Sequence, residues 1–166
     1  MTIIERLRQY KELDPHKIAL IVDDKKYTYG DLYDAIVSID INDTSRIVNV
    51  AQTKESPKHI VALIQSQSFV EQLVQWLGVL YTGYIPMVCH NEMDTEYVEE
   101  LARIIAYKGV APLADFGVLT SGTTGRPKPL WRSESSWREF FDIQNDIFHI
   151  NKDTKIFFLH ANLCIE

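Results

Sequence analysis

Between Thr120 and Lys128 the chain sets four hydroxyls, two glycines and two cations in nine residues: Thr120-Ser121-Gly122-Thr123-Thr124-Gly125-Arg126-Pro127-Lys128. Hydroxyl and backbone N–H donors ending on a full positive charge are suited to phosphate oxygens. Gly122 and Gly125 can take φ > 0, so successive N–H groups can turn inward and form a concave anion site. Gly, Ser and Thr also build ordinary turns. The density of hydroxyls and the closing Arg-Pro-Lys favour phosphate binding over a linker. The pattern is not a Walker A loop, which needs four residues between its two glycines and Lys-Ser/Thr directly after the second. Here Gly122 and Gly125 are three apart and Pro129 follows Lys128, so the P-loop NTPase reading is rejected.

The surrounding elements must hold that loop in place. Phe116 to Leu119 is a short apolar run that reads as a buried strand emptying into it. Upstream, Ile60 to Ile64 reads as a strand, Ser66-Gln67-Ser68 as a turn, and Ser68-Phe69-Val70-Glu71 as a capping box. That box opens a helix to about Tyr81, with Phe69, Leu73, Trp76, Leu77 and Leu80 as its buried face. Gly83 stands where a C-cap glycine belongs. Tyr84 to Cys89 follows as a strand, with Pro86 pointing to an edge or a bulge. Strand, helix, glycine, strand is the grammar of a parallel sheet. Asp94 or Thr95 caps a further helix ending near Gly109, with Tyr97, Val98, Leu101, Ile104 and Ile105 on one side.

The flanks are plainer. Thr2 and Glu5 form a capping box for a helix through about Lys11, and Lys17 to Val22 reads as a strand. Asp23 to Lys26 is a turn, and Thr28 with Asp31 opens a helix carrying Leu32, Ala35 and Ile36. Arg46 to Ala51 alternates like a strand, and Gln52 to Lys58 reads as a surface loop. Beyond the hydroxyl loop, Ser136-Trp137-Arg138-Glu139 fits a third capping box. Trp137, Phe140, Phe141, Gln144, Ile147 and Phe148 then fall on one helical face, which reads as core. Lys155 to Leu159 is expected to be a strand. The sequence shows no internal repeat, low-complexity tract or domain boundary.

At 166 residues, 46% hydrophobic and 24% charged, the chain has the size and composition of one globular domain. Its net charge of −6 argues against a general nucleic-acid binder, because no basic stripe is present. A nucleotide would have to be held by local geometry. Cys89 and Cys164 lack metal-ligand spacing and read as buried or free thiols, with a disulfide the secondary reading. The start, Met1 to Arg6, has no secretory pattern, and no run approaches the ~20 apolar residues that span a membrane. A cytoplasmic protein is the simplest expectation. His16, His59, His90 and His149 fall in no motif, His160 reads as a structural strand-end residue, and Arg126 as a solvated one.

Thr120 to Lys128 resembles the phosphate loop of the adenylate-forming superfamily, which includes acyl-CoA synthetases, peptide-synthetase adenylation domains and luciferases. All nine residues fit that family's Thr-Ser-Gly-Thr-Thr-Gly-x-Pro-Lys pattern, although Pro129 stands where the family has glycine. Thr28-Tyr29-Gly30-Asp31-Leu32 is similar to an early architectural segment of the family. Val79 to Met87 is similar to its helix-glycine-strand segment, in the correct order. Only Val110 to Asp115 separates the last helix from the strand before the loop, where the family places a further strand.

The resemblance implies an α/β fold with a mostly parallel sheet flanked by helices, residues 1–166 forming one partial domain, the opening part of an adenylate-forming N-terminal domain. It implies a parent enzyme that uses ATP to turn a carboxylic acid into an acyl-adenylate and passes the acyl group to a thiol such as coenzyme A. Thr120, Ser121, Gly122, Thr123, Thr124, Gly125 and Lys128 would cradle the phosphates, with Lys128 as the catalytic counter-charge. The Mg²⁺ ligand, the adenine and ribose segments and a late catalytic lysine are expected outside these residues. The isolated chain is therefore expected to be inactive in the full reaction. The alternative is a non-catalytic remnant that binds nucleotide or a partner.

Overall fold

Helix α1 (Ile3–Leu13) begins where the Thr2 hydroxyl accepts the Glu5 N–H at 3.1 Å and the Glu5 carboxylate accepts the Thr2 N–H at 2.7 Å. Each satisfies a backbone donor that the first helical turn leaves open. The computed structural model describes residues 1–50, 60–90, 92–120, 127–151, 154 and 156. Strands β1 (Ile18–Val22) and β2 (Lys25–Thr28) form an antiparallel hairpin. Its turn, Asp23-Asp24, has φ of 48° and 64°, the positive pair that matches the twist of two-residue hairpins. Thr28 then repeats the capping box with Asp31 to start α2 (Tyr29–Ser38). The Thr28 N–H and hydroxyl both donate to the Asp31 carboxylate, and the Thr28 bonds hold its pKa below the usual carboxylate range. Tyr10 of α1 stacks on Tyr29 of α2 at 4.8 Å between centroids.

A one-turn helix, α3 (Ile41–Thr44), capped by Asp40, precedes β3 (Ser45–Asn49). The remaining elements are β4 (Ile60–Ile64), α4 (Phe69–Tyr81), β5 (Ile85–Val88), α5 (Thr95–Lys108), β6 (Phe116–Thr120), β7 (Lys128–Arg132), α6 (Glu134–Arg138) and α7 (Phe141–Phe148). Among the described residues the main sheet has five strands, in the order β3-β4-β5-β6-β7. Its centre, β4 to β6, is parallel, as the strand–helix–strand pattern requires, and an antiparallel strand closes each side. The expected α/β sheet flanked by helices is thus present, in mixed form.

Alternate residues of the strands feed two faces. Val61, Leu63, Ile85, Met87 and Cys89 pack against Val98, Leu101, Ala102 and Ile105, the α5 side. Ala62, Ile64 and Val88 pack against Ile41 of α3 and Val79 of α4. Outside α4, its Leu77 meets Leu32 and Ile36 of α2. Gly117 lies in β6 because a Cβ there would run into the Met87 and Trp131 side chains from both neighbouring strands.

Several expectations need correction. Pro86 is buried in an interior strand and not at an edge. The β5–β6 pairing is instead confined to Met87↔Gly117, past the proline that cannot donate. At α4 only half of the expected capping box forms. Ser68 accepts the Glu71 N–H, but the Glu71 carboxylate turns to the Ser66 hydroxyl at 2.6 Å. The buried face of α4 is Gln72, Gln75, Leu77, Gly78 and Val79, with Leu73 and Trp76 only partly buried, because the helix is wedged between the sheet and α2. Gln72 is accommodated by donating to the Ser66 carbonyl.

The third capping box is not formed either. Ser133 caps α6, accepting the Ser136 N–H at 3.2 Å, and the helix is interrupted before α7. The aromatic stripe is exposed, with Phe140 at 60%, Ile147 at 64% and Phe148 at 68% of their full surface. Among the described residues, Trp137 of the stripe gains a ring partner, edge-on to Phe116 at 5.3 Å. Gln52 to Lys58, and Lys155 to Leu159 apart from Ile156, lie outside the described residues.

Candidate functional site

The sheet delivers the two ends of the hydroxyl loop side by side. Thr120 is the last residue of β6 and Lys128 the first of β7, and they are direct antiparallel partners. The Thr120 hydroxyl donates to the Lys128 carbonyl at 3.3 Å, which closes the mouth of the hairpin. Both side chains are exposed, and among the described residues the Lys128 ammonium forms no ion pair. Ser121, Gly122, Thr123, Thr124, Gly125 and Arg126 lie outside the described residues, so only the frame of the predicted cradle is on view.

The hairpin is anchored at its base and along one flank. The Asp115 N–H donates to the Arg132 carbonyl at 2.8 Å, and the Asp115 carboxylate accepts the Glu134 N–H at 2.9 Å. On the α5 side, the Tyr97 hydroxyl donates to the Pro127 carbonyl, fixing the residue just before Lys128. A cleft of about 360 Å³ runs there between α5 and β7, bordered by Tyr97, Ile104, Lys108, Pro127, Lys128 and Trp131.

Strand β7 was not among the elements expected from sequence. The signal was present as the alternation of Lys128, Leu130 and Arg132, exposed, with Pro129 and Trp131, half-buried. Pro129 is tolerated because β7 is an edge strand of the described sheet. Cys89 is buried on the α5 face, as expected of a structural thiol. His16 and His149 are exposed, whereas His59, His160 and Cys164 lie outside the described residues. No group of three or more His, Cys, Asp or Glu side chains converges among the described residues to hold a metal such as Mg²⁺. No described helix is long and apolar enough to cross a membrane.

The site thus sits on the carboxyl end of a parallel strand, where open α/β sheets bind ligands. The o-succinylbenzoate CoA synthetase MenE of Bacillus subtilis, solved with an acyl-adenylate intermediate, superposes with a TM-score of 0.60 at 16% identity, over 92% of this chain and 47% of that one. The fold is that of the adenylate-forming N-terminal domain.

In sequence, the chain is 24% identical over 93% of its length to the long chain fatty acid-CoA ligase VraA of Staphylococcus aureus strain COL. It is 27% identical over 82% to the protein of that name in Staphylococcus haemolyticus. It spans 36% of the first of these relatives and 33% of the second. No protein-family profile matches the sequence.

Proposed function

We propose that residues 1–166 are one part of a domain of an ATP-dependent acid:CoA ligase, and that they contribute its phosphate loop. The carrying observation is the pairing of Thr120 with Lys128 at the carboxyl end of β6, with the hydroxyl-glycine segment joining them. In this reading Thr120, Ser121, Gly122, Thr123, Thr124 and Gly125 donate to the β- and γ-phosphates, and Lys128 supplies their counter-charge. A substrate carboxylate oxygen attacks the α-phosphorus, the bond to the pyrophosphate oxygen breaks, and the leaving group carries its negative charge into the loop. Donors fixed before reaction stabilise that charge without having to reorganise. Mg²⁺, when bound, would neutralise further phosphate charge. A thiol sulfur then attacks the acyl carbon of the adenylate, the carbon–oxygen bond to AMP breaks, AMP leaves and a thioester remains, with coenzyme A the acceptor suggested by the names of the relatives. We place the protein in the cytoplasm, where its substrates are.

Calorimetric titration of the chain with ATP tests the reading, alongside carboxylate-dependent exchange of labelled pyrophosphate into ATP. ATP binding that depends on Lys128 supports the loop assignment. Binding without exchange supports a nucleotide-binding role without turnover. Absence of ATP binding overturns both.

A further inference from the structure

We infer that the turn around Leu113, with Tyr107, Lys108 and Arg132 beside it, is a docking surface for an anionic lipid bilayer, into whose interface Leu113 and Tyr107 insert. The surface lies at the amino end of the parallel strands, away from the hydroxyl loop, and does not rest on the nucleotide reading.

The Ala114 N–H donates to the Ala111 carbonyl at 3.3 Å, which closes a four-residue turn with Pro112 and Leu113 at its centre. Leu113 has a φ of 61°. Proline first and positive φ second define a type II turn, whose second central residue is normally glycine or asparagine. A bulky residue there is an outlier that strains the backbone. The side chain adds little to the core, since 79% of its surface is exposed. Glycine would serve both backbone and core better, so the leucine is left to act outside the chain.

Its neighbours have the same character. Gly109, with a φ of 78°, ends α5 and turns the chain back toward β6, so Tyr107 and Lys108 stand at the same end of the sheet as Leu113. Tyr107 is 91% exposed. Arg132 joins them through the sheet. It is the partner of Phe116, and its carbonyl accepts the N–H of Asp115, two residues past Leu113, at 2.8 Å. Lys108 and Arg132 are both exposed, and neither forms an ion pair among the described residues. From Leu101 to Ala114 the sequence has Arg103 and Lys108 but no acid, in a chain of net charge −6. The flanking acids, Asp115 and Glu134, accept the backbone N–H groups of Glu134 and Ile3.

Two exposed apolar side chains flanked by cations suit a bilayer interface. Tyrosine rests at headgroup level, lysine extends its ammonium to lipid phosphates past an apolar stem, and leucine reaches the acyl chains. Those phosphates repel the acidic remainder of the surface, which orients the chain with this end toward the membrane.

The test is co-sedimentation of the chain with equimolar phosphatidylglycerol/phosphatidylcholine vesicles and with phosphatidylcholine vesicles. Wild type would be compared with Leu113→Asn, Leu113→Phe, Lys108→Gln and the double change Ile147→Glu/Phe148→Gln. Wild type should partition about tenfold more strongly onto the anionic vesicles, since each cation at such a surface contributes about fivefold. Leu113→Asn should weaken that binding about tenfold yet raise the urea midpoint, because asparagine tolerates positive φ. Leu113→Phe, equally strained but apolar, should keep the binding. Lys108→Gln should lose about fivefold, on the anionic vesicles alone. Equal partition of wild type onto both vesicles, or onto neither, overturns the inference. So does loss of binding in Ile147→Glu/Phe148→Gln with Leu113→Asn unimpaired, which would move lipid contact to α7. A Leu113→Asn chain that loses stability together with binding would show that the leucine serves the fold, and overturns it as well.

Discussion

Lys128 and Asp31 are both exposed and charged, yet their expected roles differ because their surroundings do. Lys128 forms no ion pair among the described residues and so is available to an anion. Charge-assisted hydrogen bonds contribute about 1.5–3 kcal/mol. Lys128→Ala should therefore raise the ATP dissociation constant about tenfold or more, with unfolding unchanged, and Lys128→Arg should retain much of the affinity. Equal ATP affinities for wild type and Lys128→Ala would remove the residue from the site. Asp31 is committed to its helix cap, and the Thr28 bonds depress its pKa in the folded state. Its contribution to stability is complete above the unfolded-state carboxylate pKa of about 3.9. It disappears as pH falls through the lower, folded value. Asp31→Asn keeps an acceptor for the cap but cannot titrate. Melting temperatures of wild type and Asp31→Asn should converge between about pH 5 and pH 2; a constant gap would assign the difference to something other than the charge.

At the scale of elements, what the sequence discloses depends on how local the deciding contact is. The capping boxes Thr2/Glu5 and Thr28/Asp31 are complete within four residues, so they can be read before any packing is known, and both form. Ser68/Glu71 has the same spelling, yet Ser66, two residues earlier, takes the carboxylate. Of the serines near α6, the cap is Ser133 and not Ser136, and Asp115, just before β6, holds the Glu134 N–H at the base of the hairpin. Strand β7 escaped notice because its proline reads as a breaker unless the strand is known to be an edge.

The loop motif itself was legible, but the frame that sets Thr120 opposite Lys128 depends on β7, which no local reading announced. Gly117 is a second such case, because its need for a bare Cα comes from Met87 and Trp131. Gly117→Ala should destabilise the chain by about 1–3 kcal/mol through overpacking, measured by urea unfolding. Combined with Met87→Ala it should cost less than the sum of the two single changes; strict additivity would mean that Met87 is not the obstacle.

The whole molecule is acidic, with a net charge of −6, and its surface carries one apolar feature that the sequence suggested belonged inside. Helical period identifies the stripe from Trp137 to Phe148 but not its partner; Trp137 meets the sheet edge-on through Phe116. Phe140, Phe141, Ile143, Ile147 and Phe148 are each at least 48% exposed, and exposed apolar surface of this kind drives association. The strand edges are less able to do so. Among the described residues, β7 presents Lys128, Pro129 and Arg132 on one side of the sheet, and β3 presents Arg46 on the other, the charges and proline that discourage strand addition. Association should therefore proceed through α7. In sedimentation velocity, the weight-average mass of the chain should rise above that of a monomer as concentration increases. The double change Ile147→Glu and Phe148→Gln should abolish that rise. Because both residues are exposed, it should alter unfolding stability by no more than about 0.5 kcal/mol per site. A wild-type chain that stays monomeric and unfolds cooperatively would show that this surface is tolerated in water. A rise that persists in the double variant would move the association to the strand edges.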